Sequence, residues 1–233
     1  MSKPMILHKG RTTQKDEPKL PPSIAIGVPT GGSLRWETTW SLVNGARAGA
    51  FEQFRVCAGV VYVDDARNHL IRWFLDETDC THFLSLDSDI SFLGPDLARL
   101  AADDLDCVSG CYYNVFDGVL KPVVQFLDGS RLIAQQDDPI MEVEGVGAGF
   151  VMFSREILEK MRAEYGEPCP WFYEPVIDGR HFGEDFGICH RVRDMGSKVH
   201  IDLRVQVSHY KTVRLTGPAE MDAGPPPGVG PGR

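Results

Sequence analysis

The chain has no unbroken apolar run approaching the roughly 18 residues that a membrane-crossing helix needs, so no transmembrane span is expected. A signal-peptide core is also missing, because Met1 to Pro22 is polar, lysine-rich and interrupted by prolines. The six cysteines (57, 80, 107, 111, 169 and 189) form no CxxC pair and no dense spacing. Most sit inside apolar runs, which suits small core residues better than disulfides or zinc ligands and implies a reducing, cytoplasmic setting. Positive charge is in deficit. A formal net charge of −9 argues against a dominant polyanion-binding surface, while a local basic patch can still hold phosphates. What is present is 233 residues, 42% of them hydrophobic, enough for one good core and too few for two large ones.

The pattern along the chain predicts a single domain over 22–215, between Pro/Gly-rich ends (1–21 and 216–233) with the composition of unfolded segments. Ser23–Val28 reads as a short buried strand, Glu37–Phe54 as a helix and Arg55–Val63 as a second strand. Asp64 or Asp65 is placed to cap a helix over Ala66–Thr78, with Leu70, Ile71, Phe74 and Leu75 on one face. His82–Leu86, Pro95–Asp103 and Asp106–Tyr112 continue as strand, helix and strand. This β-α-β-α-β order predicts an α/β fold with a mostly parallel sheet covered by helices on both faces.

The second half, from about residue 113, reads as mixed α+β. Lys121–Leu127 and Arg131–Gln135 flank a hairpin signal at Asp128-Gly129. A strand with a glycine-rich turn spans Glu142–Phe153, and Ser154 opens a helix over Arg155–Tyr165. A proline- and aromatic-rich loop leads to a helix over Glu184–Met195, stopped by Gly196. Strand-like Lys198–Ile201 and Val205–Val207 precede His209.

One stretch carries most of the chemistry. In Leu84-Ser85-Leu86-Asp87-Ser88-Asp89-Ile90-Ser91-Phe92 a buried-strand pattern runs into two carboxylates at i and i+2. On an extended strand such residues face one side, so Asp87 and Asp89 can aim at one point. Two like charges there repel unless a cation lies between them, and an all-oxygen pair suits Mg²⁺ or Mn²⁺ shared with substrate phosphates. The competing reading is a solvated turn after a strand.

Six motifs in order extend this: Ile26-Gly27-Val28-Pro29-Thr30, Asp65-Ala66-Arg67-Asn68, Leu86-Asp87-Ser88-Asp89, Gly145-Val146-Gly147-Ala148-Gly149-Phe150, Gly183-Glu184-Asp185-Phe186 and Ser208-His209-Tyr210. Across about residues 23–215 the chain resembles a GT-A glycosyltransferase, close to the small family 2 and Anp1-like enzymes. The resemblance implies a nucleotide-sugar donor, UDP-linked, with a donor half over about 22–112 and an acceptor half over 113–215. Pro29 and Thr30 would cradle the base and Ser88 would border the donor. Arg67 would approach base or pyrophosphate, its alternative being a pair with Asp65 on an exposed helix. Asp89 would ligate the metal, Asp87 would meet ribose or metal, and His209 would be the third protein ligand, which leans the metal toward Mn²⁺ over Mg²⁺. Lys211 and Arg214 could neutralise the pyrophosphate. Gly147, Ala148 and Gly149 would let the donor sugar lie against backbone. In the acidic pair, Asp185 rather than Glu184 would take the acceptor proton, although both also suit a helix N-terminus. Trp171, Phe172 and Tyr173 would stack on the acceptor or cap the core.

The acceptor is expected to be a glycan or a hydroxymethylated DNA base, the latter because small stand-alone enzymes of this look occur among viral proteins. No long C-terminal extension of the kind that holds the acceptor in many such enzymes is seen, which implies a small acceptor site or one completed by a partner. Three rival readings compete with this one. A haloacid-dehalogenase-like phosphatase also uses a strand followed by DxD, but here Ser91 stands at i+4 and two βα units precede the motif. A nucleotidyltransferase needs a longer glycine-rich loop than Thr30-Gly31-Gly32. A non-catalytic nucleotide-sugar-binding module would not need Glu184 and Asp185.

Overall fold

The computed structural model describes residues 21–116, 118–125 and 139–212. The expectations for the chain ends, for Arg214 and for the Asp128-Gly129 hairpin fall outside these residues almost entirely. Seven strands form the central sheet: β1 (Ile24–Thr30), β2 (Gln53–Ala58), β3 (His82–Leu86), β4 (Cys107–Cys111), β5 (Ile140–Val143), β6 (Phe150–Ser154) and β7 (Val199–Gln206). Their spatial order is β2-β1-β3-β6-β4-β7-β5. The sheet is mostly parallel, with only β5 and β6 running against the other five. Five helices accompany it: α1 (Trp36–Ala48), α2 (Val63–Glu77), α3 (Gly94–Ala102), α4 (Arg155–Tyr165) and α5 (Glu184–Asp194). Among the described residues no helix is long and apolar enough to cross a membrane.

The strands are apolar on consecutive residues because both sheet faces are covered. Ile24, Ile26 and Val28 of β1, with Leu84 and Leu86 of β3, pack toward Leu42 of α1 and Leu97 and Leu100 of α3. Ala25 and Phe83, one residue out of phase, pack the other way, against Leu70 and Phe74 of α2, Leu158 of α4 and Ile188 of α5. Gly27 belongs to that second face, where a Cβ would lie 2.6 Å from the Phe83 ring. The β1–α2 contact therefore requires glycine. Five of the six cysteines are buried and all six are free thiols, as apolar filling would have them.

Several predicted boundaries move, for local reasons. The first helix stops at Ala48, not Phe54, because Gly49 turns left-handed (φ 66°) and its amide closes the last turn on Gly45 and Ala46. The second strand ends at Ala58, where Gly59 (φ 79°) turns the chain. Asp64 and Asp65 do not cap α2; Tyr62 occupies that position and the two acids lie in the first turn, where the helix dipole favours them. Ser154 does cap α4, accepting the Ile157 amide at 3.2 Å. The two predicted closing strands are one strand, β7, whose pairing with β4 is irregular between Asp202 and Gln206.

The sheet order departs from simple sequential winding. β6 lies antiparallel between β3 and β4, so the turn before it arrives at the end of β3. The Asp87 amide donates to the Gly149 carbonyl at 2.9 Å. A purely parallel reading of the first half does not anticipate this contact.

Candidate active site

The site lies at the carboxyl ends of β1 and β3, where open α/β sheets leave a crevice. A cleft of about 440 Å³ is bordered by Pro29, Thr30, Gly31, Val60, Val61, Arg67, Asp87, Ser88, Asp89, Glu184 and Lys211. Thr30 fixes the turn after β1, its hydroxyl donating to the Ser33 carbonyl at 2.7 Å and accepting the Gly32 amide at 3.2 Å. The Ser88 carbonyl is held from α1, by the Arg35 amide at 2.9 Å and the Thr38 hydroxyl at 3.0 Å. The chain between the two aspartates is thereby anchored.

Asp87 and Asp89 take different partners. The Arg67 guanidinium is buried, lies 5.4 Å over the Phe172 ring, and donates to Asp87 Oδ1 at 2.7 Å and to Glu184 Oε1. The alternative expected for Arg67, a pair with Asp65 on an exposed helix, does not match this arrangement; Arg67 is buried at the edge of the cleft and both arms of the fork are engaged by carboxylates. Removing one partner of a buried ion pair is costly because the remaining charges lose their counter-ion. Arg67→Met would leave Asp87 and Glu184 facing each other without a cation. It is expected to lower the free energy of unfolding by about 3 kcal/mol, measured by urea denaturation at neutral pH, and a loss below 1 kcal/mol would show that the triad is solvent-screened.

Asp89 meets the far end of the sequence. Residues Ile90–Ser91 and Ser208–His209 form a two-stranded antiparallel ladder, and the Tyr210 amide donates to the Asp89 carbonyl at 2.8 Å. This places His209 Nε2 3.4 Å and Lys211 Nζ 2.9 Å from the same oxygen, Asp89 Oδ2. Burial alone would raise the Asp89 carboxyl, but His209 and Lys211 outweigh it and hold it down at about 2. The His209 imidazole is raised by its contact with Asp89, against an opposing effect of burial. Its Nδ1 lies 2.9 Å from the Tyr113 carbonyl, which can only accept, so Nδ1 carries a proton. Nε2 is then left facing the carboxylate. Since two lone pairs repel, a second proton or a cation must lie between them.

Among the described residues no group of three or more His, Cys, Asp and Glu side chains could hold a metal. The expected set Asp87, Asp89 and His209 is thus not gathered: Asp87 turns to Arg67, leaving Asp89 and His209. These two fit a divalent ion of the Mg²⁺/Mn²⁺ class, which binds through one or two carboxylates and completes its shell with phosphate and water oxygens. The fixed Nδ1–H tautomer is the one that a metal-binding imidazole needs.

A second cleft, of about 280 Å³, adjoins on the other side of Glu184 and includes Asp185, Gly147, Lys121, Gln125, Phe116 and Phe186. α5 begins at the acidic pair, so the two carboxylates diverge. Glu184 goes to Arg67, while Asp185 has backbone amides as its partners, the Phe186 amide at 2.8 Å and its own. Burial and the neighbouring Glu184 hold the Asp185 carboxyl above its ordinary range. Gly147 and Gly149 are needed for space: a Cβ on Gly147 would strike the Tyr112 hydroxyl and Val123, and one on Gly149 would lie 2.9 Å from Asp87 Oδ2. Ala148 is buried.

Some expectations fail here. Trp171 is not an acceptor residue; it is fully buried and its indole N–H donates to the Leu158 carbonyl at 3.0 Å, a core position. Phe172 is buried as well, its backbone clamped by Asn68, whose side chain both donates to its carbonyl and accepts from its amide at 2.8 Å. Tyr173 is half-buried, under the Arg191 guanidinium at 4.2 Å. Sequence reasoning missed Tyr112, whose buried hydroxyl accepts the Gly149 amide at 3.1 Å and is held far above its ordinary value by burial and Asp87. It missed Phe186 too, which stacks on Phe182 at 4.4 Å beside Asp185. Phe186 stood in the Gly183-Glu184-Asp185-Phe186 motif without a role, and no motif near Tyr112 marked it.

No protein-family model and no curated protein matches the sequence. Among solved structures, A197 from STIV aligns at TM-score 0.59 and 19% identity, over 82% of this chain and 86% of that one. GalNAc-T7, crystallised with UDP, GalNAc and Mn²⁺, aligns at TM-score 0.51 and 12% identity, over 80% of this chain and 43% of that one. The fold is that of the GT-A glycosyltransferases. Its sheet end, its acidic turn after β3 and its glycine turn before β6 are the places where the six sequence motifs meet.

Proposed function

We propose that the protein is a metal-dependent glycosyltransferase that moves a sugar from a UDP-linked donor to an acceptor hydroxyl. The observation that carries this reading is the meeting of Asp89 with His209 and Lys211, the latter 122 residues further along the chain, at the crevice of a GT-A fold. The donor half is 22–112 and the acceptor half 113–215. Pro29, Thr30 and Ser88 border the nucleotide; Asp89 and His209 would hold Mn²⁺ or Mg²⁺. When bound, that ion supplies positive charge to the departing nucleoside diphosphate. Lys211, exposed and flexible at its tip, can turn from Asp89 to a phosphate oxygen. Arg67 does not bind phosphate in this scheme. It keeps Asp87 and Glu184 in place, so Asp87 is oriented toward the ribose and Glu184 cannot serve as base.

Asp185 is left as the carboxylate free of a cation, in the cleft where an acceptor would lie. Its raised carboxyl makes it a better proton acceptor than an ordinary aspartate, and it takes the hydroxyl proton as the oxygen attacks the anomeric carbon. Gly147 and Gly149 let the turn before β6 pack against Tyr112, Val123 and Asp87, which fixes Asp87 at the edge of the donor cleft. Of the two expected acceptors, a glycan agrees better with the net charge of −9 than modified DNA does.

Calorimetric titration with UDP, GDP and their sugar conjugates, with and without Mn²⁺, tests the donor site. Tighter binding of UDP or a UDP-sugar in the presence of Mn²⁺ is expected. Binding of none of them by the folded protein would remove the glycosyltransferase reading.

A further inference from the structure

A groove of about 670 Å³ runs between α1 and the start of α3, and nothing in the donor or acceptor clefts uses it. It is continuous with the donor site through the ladder of Ile90–Ser91 and Ser208–His209. Side chains alternate along such a strand: Asp89 and Lys211 border the donor cleft, whereas Ser208 and Tyr210 border this groove. Its wall is α1, which presents Trp36 and Trp40 one helical turn apart, on one face. These indoles are 70% and 57% exposed, while the chain's other two tryptophans, Trp73 and Trp171, are buried at 6% and 0%. Leaving two such rings in water forgoes the burial that large aromatics usually provide.

The rest of the lining narrows the partner. Glu37, Asn44, Gln206 and Tyr210 add carboxylate, amide and hydroxyl groups, and no lysine or arginine is among the lining residues. Glu37 is paired with Arg35 at 3.7 Å, which leaves Asp96 as the unneutralised charge of the lining and no cation to meet a phosphate, so nucleic acid and anionic lipid are poor occupants. A neutral pyranose suits both features, since its C–H face packs on an indole and its hydroxyls hydrogen-bond to carboxylate and amide groups. The Cβ atoms of Trp36 and Trp40, about 5–6 Å apart at this spacing, are separated on the scale of one sugar unit.

We propose that this groove binds a neutral oligosaccharide, with its rings stacked on Trp36 and Trp40, and so retains the glycan that is extended in the adjoining site. That the bound glycan is the acceptor rests on the glycosyltransferase reading; the binding itself does not. The test is acrylamide quenching of tryptophan fluorescence in the full chain, with hexasaccharides of glucose, mannose, galactose and N-acetylglucosamine, an oligo-dT and phosphatidylserine vesicles as probes. At least one hexasaccharide is expected to protect the exposed indoles. By isothermal titration calorimetry, which does not depend on the indoles, the double variant W36A/W40A is expected to bind that sugar at least tenfold more weakly, with its UDP–Mn²⁺ titration unchanged. The proposal is overturned if no sugar protects, if oligo-dT or vesicles protect instead, or if the double variant turns a dimer into a monomer without altering sugar binding. Sugar protection without UDP binding would uphold the groove and sink the donor assignment separately.

Discussion

Replacing Asp89 with alanine is expected to abolish glycosyl transfer while leaving a folded protein. The carboxylate is the one acidic group, among the described residues, at which His209 and Lys211 converge, and in the proposed scheme it holds the divalent ion. Metal-ion stabilisation of leaving-group charge is worth several kcal/mol, so turnover should fall by roughly three powers of ten or more. The stability cost is smaller. A carboxyl held at about 2, below its unfolded value near 3.8, contributes stability above that unfolded value and loses it as pH falls toward 2. This contribution is roughly 2 kcal/mol and is absent from Asp89→Ala at neutral pH, leaving most of a typical domain's roughly 5–15 kcal/mol. Nucleotide release, Mn²⁺ calorimetry and a thermal melt together make the test. Near-normal turnover in a variant with a native melt would falsify the metal assignment.

Asp185→Asn is expected to separate chemistry from binding. Donor affinity should stay within about twofold, while transfer slows by roughly two to four powers of ten, the span typical of a lost general base. The pH profile carries the same argument. Burial and Glu184 raise the Asp185 carboxyl, so the base is still protonated at pH values where an ordinary aspartate is ionised. The wild-type rate should therefore rise with pH through a limb centred above the usual carboxylate range and then level off, and Asp185→Asn should flatten that limb. If donor binding collapses along with turnover, Asp185 shapes the donor site and is not the base. Glu184 cannot rescue the variant, since its carboxylate is committed to Arg67.

Much of this arrangement was legible in the sequence wherever chemistry and periodicity were local. The strand before Asp87 reads from Phe83, Leu84 and Leu86, apolar on both sides of the chain because β3 is buried on both faces. The Ser154 cap reads from one side chain and the helix that it starts. What sequence reasoning misjudged depended on contacts remote along the chain. Arg67 and Asp65 are close in sequence, yet Arg67 bonds to Asp87 and Glu184, the latter 117 residues away. Trp171 lies in the loop that precedes the acidic motif but points into the core, because Asn68 clamps the loop at Phe172. Asn68 had been one letter of a motif; its structural task is to hold that loop.

The sequence by itself determined the α/β layering and the apolar strands, which follow from residue type at a spacing of two or three to four, and the presence of two acidic pairs, which are read directly from neighbouring residues. Only the tertiary structure decided which carboxylates are spent and which are free. Inserting β6 between β3 and β4 brings Gly149 against Asp87, and the Ile90–Ser91/Ser208–His209 ladder brings His209 and Lys211 to Asp89. The role of each carboxylate follows from its counter-ion, because the nearest positive charge sets its energy inside a folded protein. Those counter-ions come from positions that no local pattern relates.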